Sequence, residues 1–285
     1  MSMPSPTSGT PEPYQTEIER RLQLAAQELN DPLDAFTVPA WYFVANFSNL
    51  DNGRPVGALM RYEAGDLPFR PSISTPIVGD IVGDVRFENG RAYFDGNGYL
   101  KFQVTDQHIQ ALDRAKLDAA LASPKPLSMV GYGHADAVPA NEPGQPNELN
   151  PALYYTTGTS KFGLFARPDM LASKINLEAP QTDISAQVIP TPAIWFAYVS
   201  QQLDDDTSGA QYRFRLETVD PDHILEHLTR QEFALFDRFQ MQLEPGSVFY
   251  VGATPPEGTQ ARFHGWLEEV IFDPTGGTNG PRAGM

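Results

Sequence analysis

Hydrophobic positions along this chain follow two rhythms. Ile18, Leu22, Ala25 and Leu29 stand at spacings of 4, 3 and 4, the period of a helix with one apolar face, and Asn30-Asp31-Pro32 ends it. Such a helix either lies on its own domain or docks on a partner subunit. From Ala40 the rhythm shortens to the alternation of strands. Residues 41–47 (WYFVANF) read as a strand, and the turn residues Asn49-Leu50-Asp51-Asn52-Gly53 follow it. Residues 84–104 read as a meander with the strand Val85-Arg86-Phe87, a hairpin turn at Glu88-Asn89-Gly90 and a strand at 91–94. A second turn is predicted at Asp95-Gly96-Asn97-Gly98, before a strand at 99–104.

Two later stretches carry helical spacing. In residues 105–121, Ile109, Leu112, Lys116 and Leu117 follow Thr105 as N-cap, and residues 220–239 read as a helix with Pro221 in its first turn. Further strands are predicted at 127–132, 152–156, 162–166, 184–188, 194–201, 211–217, 247–252 and 263–272. The loop 134–151, rich in Pro, Asn, Gly and Ala, has the length of an interface or functional loop. The chain thus divides into a flexible leader with an amphipathic helix (1–39), one β domain (40–273) and a flexible tail (274–285).

Composition narrows the function classes. The 23 glycines and 26 prolines among 285 residues favour many turns and short strands. A net charge of −16 repels phosphate backbones and anionic lipid, so neither nucleic acid nor membrane insertion is expected. No run approaches the roughly 18 apolar residues of a spanning helix. Residues 1–13 lack the basic start and apolar core of a secretory signal, so the expected location is the cytoplasm or an assembly formed there. With no cysteine, disulfides, thiolate metal sites and thiol nucleophiles are excluded.

Three runs carry a resemblance. Residues 91–102 (RAYFDGNGYLKF) resemble the early aromatic-Asp-Gly-small-Gly-aromatic hairpin of concanavalin A-like and laminin-G-like domains. Residues 193–199 (AIWFAYV), with Asp204-Asp205-Asp206 and Tyr212-Arg213-Phe214, resemble that superfamily's Trp-containing strand and hairpin. Residues 247–252 (SVFYVG) and 263–272 (FHGWLEEVIF) resemble its closing strand pair. The resemblance implies an all-β fold, a two-sheet antiparallel jelly-roll sandwich, enlarged here by the N-terminal helix and by helical and loop insertions.

Candidate chemistry is sparse. Glycoside hydrolases of this fold need two carboxylates on one strand face, and no alternating acidic run supplies them. Glu268 and Glu269 are adjacent, so on a regular strand they face opposite sides. His223-Ile224-Leu225-Glu226-His227 matches an inverted zinc-peptidase string without the third ligand or the architecture such a site needs. No nucleophile elbow and no phosphate-binding glycine loop appears. No catalytic residue is assigned, and the chain is expected not to be an enzyme. Calcium is the one cofactor considered, with Asp51, Asn52, Asp95 and Asn97 as hard oxygen ligands, and Asp204-Asp205-Asp206 read as a solvated hairpin tip. Trp41, Trp195 and Trp266 lie within predicted strands and are expected in the core. Tyr132, His134, Tyr154 and Tyr155 flank the long loop and are the candidates for exposed ligand recognition.

These readings point to a non-catalytic subunit or adaptor that contacts other protein subunits, with Ile18, Leu22, Ala25 and Leu29 as its partner-binding helix face. The alternative is a lectin-type module that binds a glycan with or without calcium, and a glycoside hydrolase of the same fold is the third reading.

Overall fold

The computed structural model describes residues 40–62, 73–112, 127–137, 149–157, 161–175, 184–185, 192–203, 210–220, 227–236, 243–255 and 262–273. The leader helix and the tail, residues 1–39 and 274–285, lie outside the described residues. Strands β1 (Ala40–Asp51) and β2 (Arg54–Tyr62) form a hairpin closed by Asn52-Gly53. After β3 (Ile73–Val78), strands β4 (Asp80–Glu88) and β5 (Arg91–Gln103) form another, closed by Asn89-Gly90. Asn52 and Gly53 have φ of 50° and 78°, and Asn89 and Gly90 have 51° and 79°. Two left-handed central residues make the hairpin turn whose twist matches the flanking strands, which is why Asn-Gly sits at both places.

The short helix α1 (Asp106–Ala111) follows, and then β6 (Leu127–Ala135), β7 (Asn150–Thr156), β8 (Lys161–Arg167), β9 (Met170–Ile175) and β10 (Ile184–Ser185). The remaining strands are β11 (Ala193–Leu203), β12 (Ala210–Val219), β13 (His227–Phe236), β14 (Val248–Val251) and β15 (His264–Asp273). All described pairings are antiparallel and link 15 strands into one network. The network has two arms. One runs β13-β12-β11-β6-β15-β1-β2-β3 and the other β4-β5-β14-β7-β8-β9-β10, and they join where β15 pairs with β5.

Rings from the two arms interlock between them. Phe43 of β1 stacks on Phe249 of β14 at 4.2 Å and 7°, and tilts against Phe102 of β5 at 5.2 Å. Phe272 of β15 stacks on Tyr155 of β7 at 4.6 Å and reaches Phe162 of β8 at 6.4 Å. Trp195 of β11 meets Phe263 edge-on at 6.1 Å. Burial of this aromatic surface between two sheet faces supplies the main driving force, and the alternation of each strand delivers it. The fold is therefore predominantly antiparallel β and sandwich-like, with very little helix among the described residues.

Several expectations are corrected. The predicted helix at 220–239 is in its described part the strand β13, paired with β12 along its whole length. Nine cross-strand pairs along β12, from Gln211 opposite Phe236 to Val219 opposite His227, override the local helical reading. The helix begun at Thr105 is six residues long, and residues 113–121 lie outside the description. Asp95-Gly96-Asn97-Gly98 is no hairpin turn, because β5 continues through it as one strand of 13 residues. There the Asn97 N–H donates to the Asp95 carboxylate at 3.0 Å and Gly96 takes φ 84°, which makes a local bulge. The bulge moves β5 from β15, its partner at 92–95, to β14, its partner at 100–103. Strands β2, β3 and β9 carry no prediction from sequence, and β6 extends through His134 into the segment expected to be loop.

If the interlocked rings hold the arms together, Phe43→Ala should cost about 3–5 kcal/mol of unfolding free energy, whereas Leu50→Ala at an exposed strand end should stay within about 0.5 kcal/mol. Urea titration followed by tryptophan fluorescence measures both, and a loss below about 1 kcal/mol for Phe43→Ala would refute this account of the core.

Candidate functional site

The outer face at the junction of the two arms gathers an unusual set of side chains. Cross-strand register places Arg86 of β4 opposite Tyr93 of β5, Tyr93 opposite Trp266 of β15, and Trp266 opposite His134 of β6. The four positions form one row across four strands. On β5, Ala92 and Phe94 are buried in the core, so Tyr93 and Arg91 point outward by alternation. Arg86 is exposed, with its guanidinium over the Tyr93 ring at 5.1 Å. Tyr93, Trp266 and His134 are half-buried.

Trp266 is the centre of the set. The Arg91 guanidinium lies over its ring at 3.8 Å, Tyr132 meets it edge-on at 5.9 Å, and His134 tilts against it at 6.4 Å. Arg91 also donates from Nε to Glu268 at 2.5 Å, so one guanidinium serves both a π face and a carboxylate. Burial alone would lower the Arg91 pKa, but the hydrogen bond and charge of Glu268, with Tyr93 adding to them, hold it above its ordinary value. His134 Nε2 is 3.4 Å from the exposed Asp136 carboxylate, while its Nδ1 is buried without a hydrogen-bond partner.

A bulge in β15 shapes this face. Leu267 pairs with Gly133 and Glu269 with Tyr132, so Glu268 is an extra residue between them. Leu267 and Val270, three apart, both belong to the core, which leaves both Glu268 and Glu269 off the core face. The expectation that these adjacent acids face opposite sides is thereby corrected, since the alternation it assumed is interrupted between them. Both carboxylates are buried.

The other predicted residues scatter. Tyr132 and His134 join the site, but Tyr132 is buried rather than exposed. Tyr155 is fully buried in the core, where its hydroxyl donates to Ser247 Oγ at 3.2 Å. Tyr154, one residue earlier, faces the opposite side of β7 and packs with Phe165 at 6.3 Å in a second buried cluster containing Tyr99 and Tyr250. Consecutive strand residues cannot converge on one ligand, and the expected exposed aromatic group is corrected accordingly. Asp51 and Asn52 occupy the β1–β2 turn, with the Asn52 amide donating to Asp51 at 2.9 Å. Asp95 accepts from Asn97 in the β5 bulge. Among the described residues no group of three or more His, Cys, Asp or Glu is placed to hold a metal. Trp195 is in the core as expected, while Trp266 lies on the outer face. Ile18, Leu22, Ala25 and Leu29, the histidine string at 223–226 and Asp204-Asp205-Asp206 lie outside the described residues. Arg86, Arg91 and Tyr93 have no assigned role from sequence. Their signal is the i, i+2 spacing of Arg91 and Tyr93 together with that of Trp266 and Glu268, and it becomes meaningful only once the register between strands is known.

No family model and no curated protein matches the chain. Among solved structures it is similar to a mutant of Trypanosoma rangeli sialidase displaying trans-sialidase activity, at 10% identity and a TM-score of 0.36, over 90% of this chain and 36% of that one. The chain thus spans about a third of the length of that protein. The expectation that this chain is not an enzyme is corrected, since nothing among the described residues shows it to be a non-enzyme. A likeness this low carries no argument for an activity or for a fold.

Relocating Tyr155 to the core generates a pH prediction. Burial, aided by the charge of Glu244 and opposed by the Ser247 hydrogen bond, pushes its phenol well above the ordinary value of about 10. Above pH about 10 the unfolded chain therefore releases a proton that the native state keeps, so this group's contribution to stability falls as pH rises. At pH about 8, Tyr155→Phe should lose about 0.5–1.5 kcal/mol for the hydrogen bond. By pH about 11 that deficit should shrink or reverse, because the variant lacks the titrating group. Paired urea titrations check this, and a deficit independent of pH would contradict it.

Proposed function

We propose that this chain is a structural or adaptor subunit built on a concanavalin A-like jelly roll, and that it contacts a second protein through the outer face of β4, β5, β15 and β6. The observation that carries the reading is the row Arg86, Tyr93, Trp266 and His134. Partly exposed Trp, Tyr and Arg side by side on rigid strands have the composition of a binding hot spot. The exposed Arg86 fits a carboxylate on the partner, and the partly exposed Tyr93 and Trp266 fit an apolar side chain. The jelly-roll topology is supported by the three motifs in superfamily order and by two antiparallel arms with a shared aromatic core.

Carbohydrate binding is less well served by the same face. A sugar stacks on an open aromatic plane, and Arg91 already covers one plane of Trp266 at 3.8 Å while Tyr132 and His134 crowd its edge.

The test is the size of the native particle. In extract from its own cells, the tagged full chain should migrate far above a single chain's 31.4 kDa on gel filtration. Trp266→Ala combined with Arg86→Glu should return it to monomer size, since losing a hot spot of about 2 kcal/mol or more weakens affinity about 30-fold. Circular dichroism melting confirms that the variant is folded. A wild-type chain that migrates as a monomer, or a glycan array that yields a ligand lost in Trp266→Ala, would overturn the proposal.

A further inference from the structure

Strand β4 has one hydrogen-bonded neighbour, β5, and among the described residues nothing pairs with its other edge. Asp80, Ile81, Val82, Gly83 and Asp84 are all exposed, so among the described residues nothing covers this edge. The exposed large hydrophobic residues of the described structure are Leu50, Val78, Ile81 and Val82, between 37 and 40% exposed, and they gather around the start of β2 and of β4. Leu50 pairs with Pro55, whose carbonyl accepts the Gly79 N–H at 2.7 Å, and Gly79 links Val78 to β4. Register puts Ile81 beside Leu100 on the core face and Val82 beside Tyr99 on the outer face. The free edge therefore leaves one apolar side chain uncovered on each face of the sheet. A strand added along β4 would satisfy its open backbone groups and cover both.

The charges decide which strand fits. Asp80, Asp84 and Glu88 recur every fourth residue along β4. A second copy pairing antiparallel with its centre at Asp84 would set Asp84 against itself. Like charges directly opposite one another are destabilising, and the chain's net charge of −16 adds to the repulsion. Arg54, which pairs with Asp80, neutralises the first of these acids and leaves Asp84 and Glu88 for a partner. We propose that the free edge of β4 accepts by strand addition an extended segment of another protein that alternates basic and apolar residues. This rests on the reading of the chain as a protein-contacting subunit, but it uses the edge of the sheet rather than its outer face.

The probe is a fluorescein-labelled ten-residue peptide alternating lysine and valine, with a glutamate–valine peptide as control, titrated against the full-length protein by fluorescence anisotropy. The lysine peptide should bind at least tenfold more tightly than the control and slow amide hydrogen exchange across residues 80–88. Asp84→Lys with Glu88→Lys should abolish that preference, and Ile81→Ser with Val82→Ser should weaken binding about tenfold. Trp266→Ala should leave peptide binding unchanged, which separates this site from the outer-face contact. Absence of binding, equal binding of both peptides, protection away from β4, or a concentration-dependent dimer that protects β4 without any peptide would each overturn the proposal.

Discussion

Everything in this fold depends on β15 serving three neighbours within ten residues. Its first residues pair with β5, its later ones pair with β1 on the same side, and β6 runs along the other edge. A strand can exchange one neighbour for another only if its backbone yields locally. Two features allow this. Gly265 takes φ 135°, and a Cβ there would stand 2.0 Å from the His134 carbonyl oxygen, so no other residue fits without moving β6. The extra residue Glu268 then resets the alternation between the part that faces β5 and the part that faces β1.

From that junction follow both the core and the surface above it. Because β15 ties the two arms, Phe272 meets Tyr155 and Phe249 across the interior, and Phe43 on the adjacent β1 meets Phe249 and Phe102. The chain has no cysteine, so no disulfide reinforces this arrangement and interdigitated rings carry the load. Glycine contributes here by absence: Gly57 leaves the space the Phe43 ring occupies, with a Cβ position 2.6 Å from the ring edge. On the outer side the same bulge turns Glu268 toward Arg91, which fixes that guanidinium over Trp266.

Local chemistry was legible in the sequence, and long-range pairing was not. Asn52-Gly53 and Asn89-Gly90 announce their turns because only a few residues adopt left-handed backbone at both central positions. Asp95-Gly96-Asn97-Gly98 has the same chemistry, yet it bends a strand, since what distinguishes a turn from a bulge is where β14 and β15 lie, and both are more than 140 residues downstream. Residues 227–236 form a strand because β12 offers them an edge, a fact absent from their own spacing. The candidate site shows the same limit. Tyr132 and His134 were identifiable as aromatic residues near a long loop, but Trp266, Arg91 and Arg86 join them only through the register of four strands. Tyr154 and Tyr155 were misjudged for a simpler reason: adjacency in sequence on a strand means separation across the sheet.

The distribution of charge changes meaning in this frame. A net charge of −16 suggests a uniformly anionic surface, but several acids are already committed: Glu268 to Arg91, Asp80 to Arg54, Asp169 to Arg167, Asp51 to its turn and Asp95 to its bulge. What remains facing solvent along β4 alternates in sign, with Asp84, Arg86 and Glu88 in sequence beside the open edge. Charged side chains on an edge strand deter uncontrolled pairing with identical strands, and the same charges select which foreign strand is tolerated. Protection against self-association and selection of a partner are in this sense one property of β4, because the acids that repel a second copy are the acids that attract a basic strand.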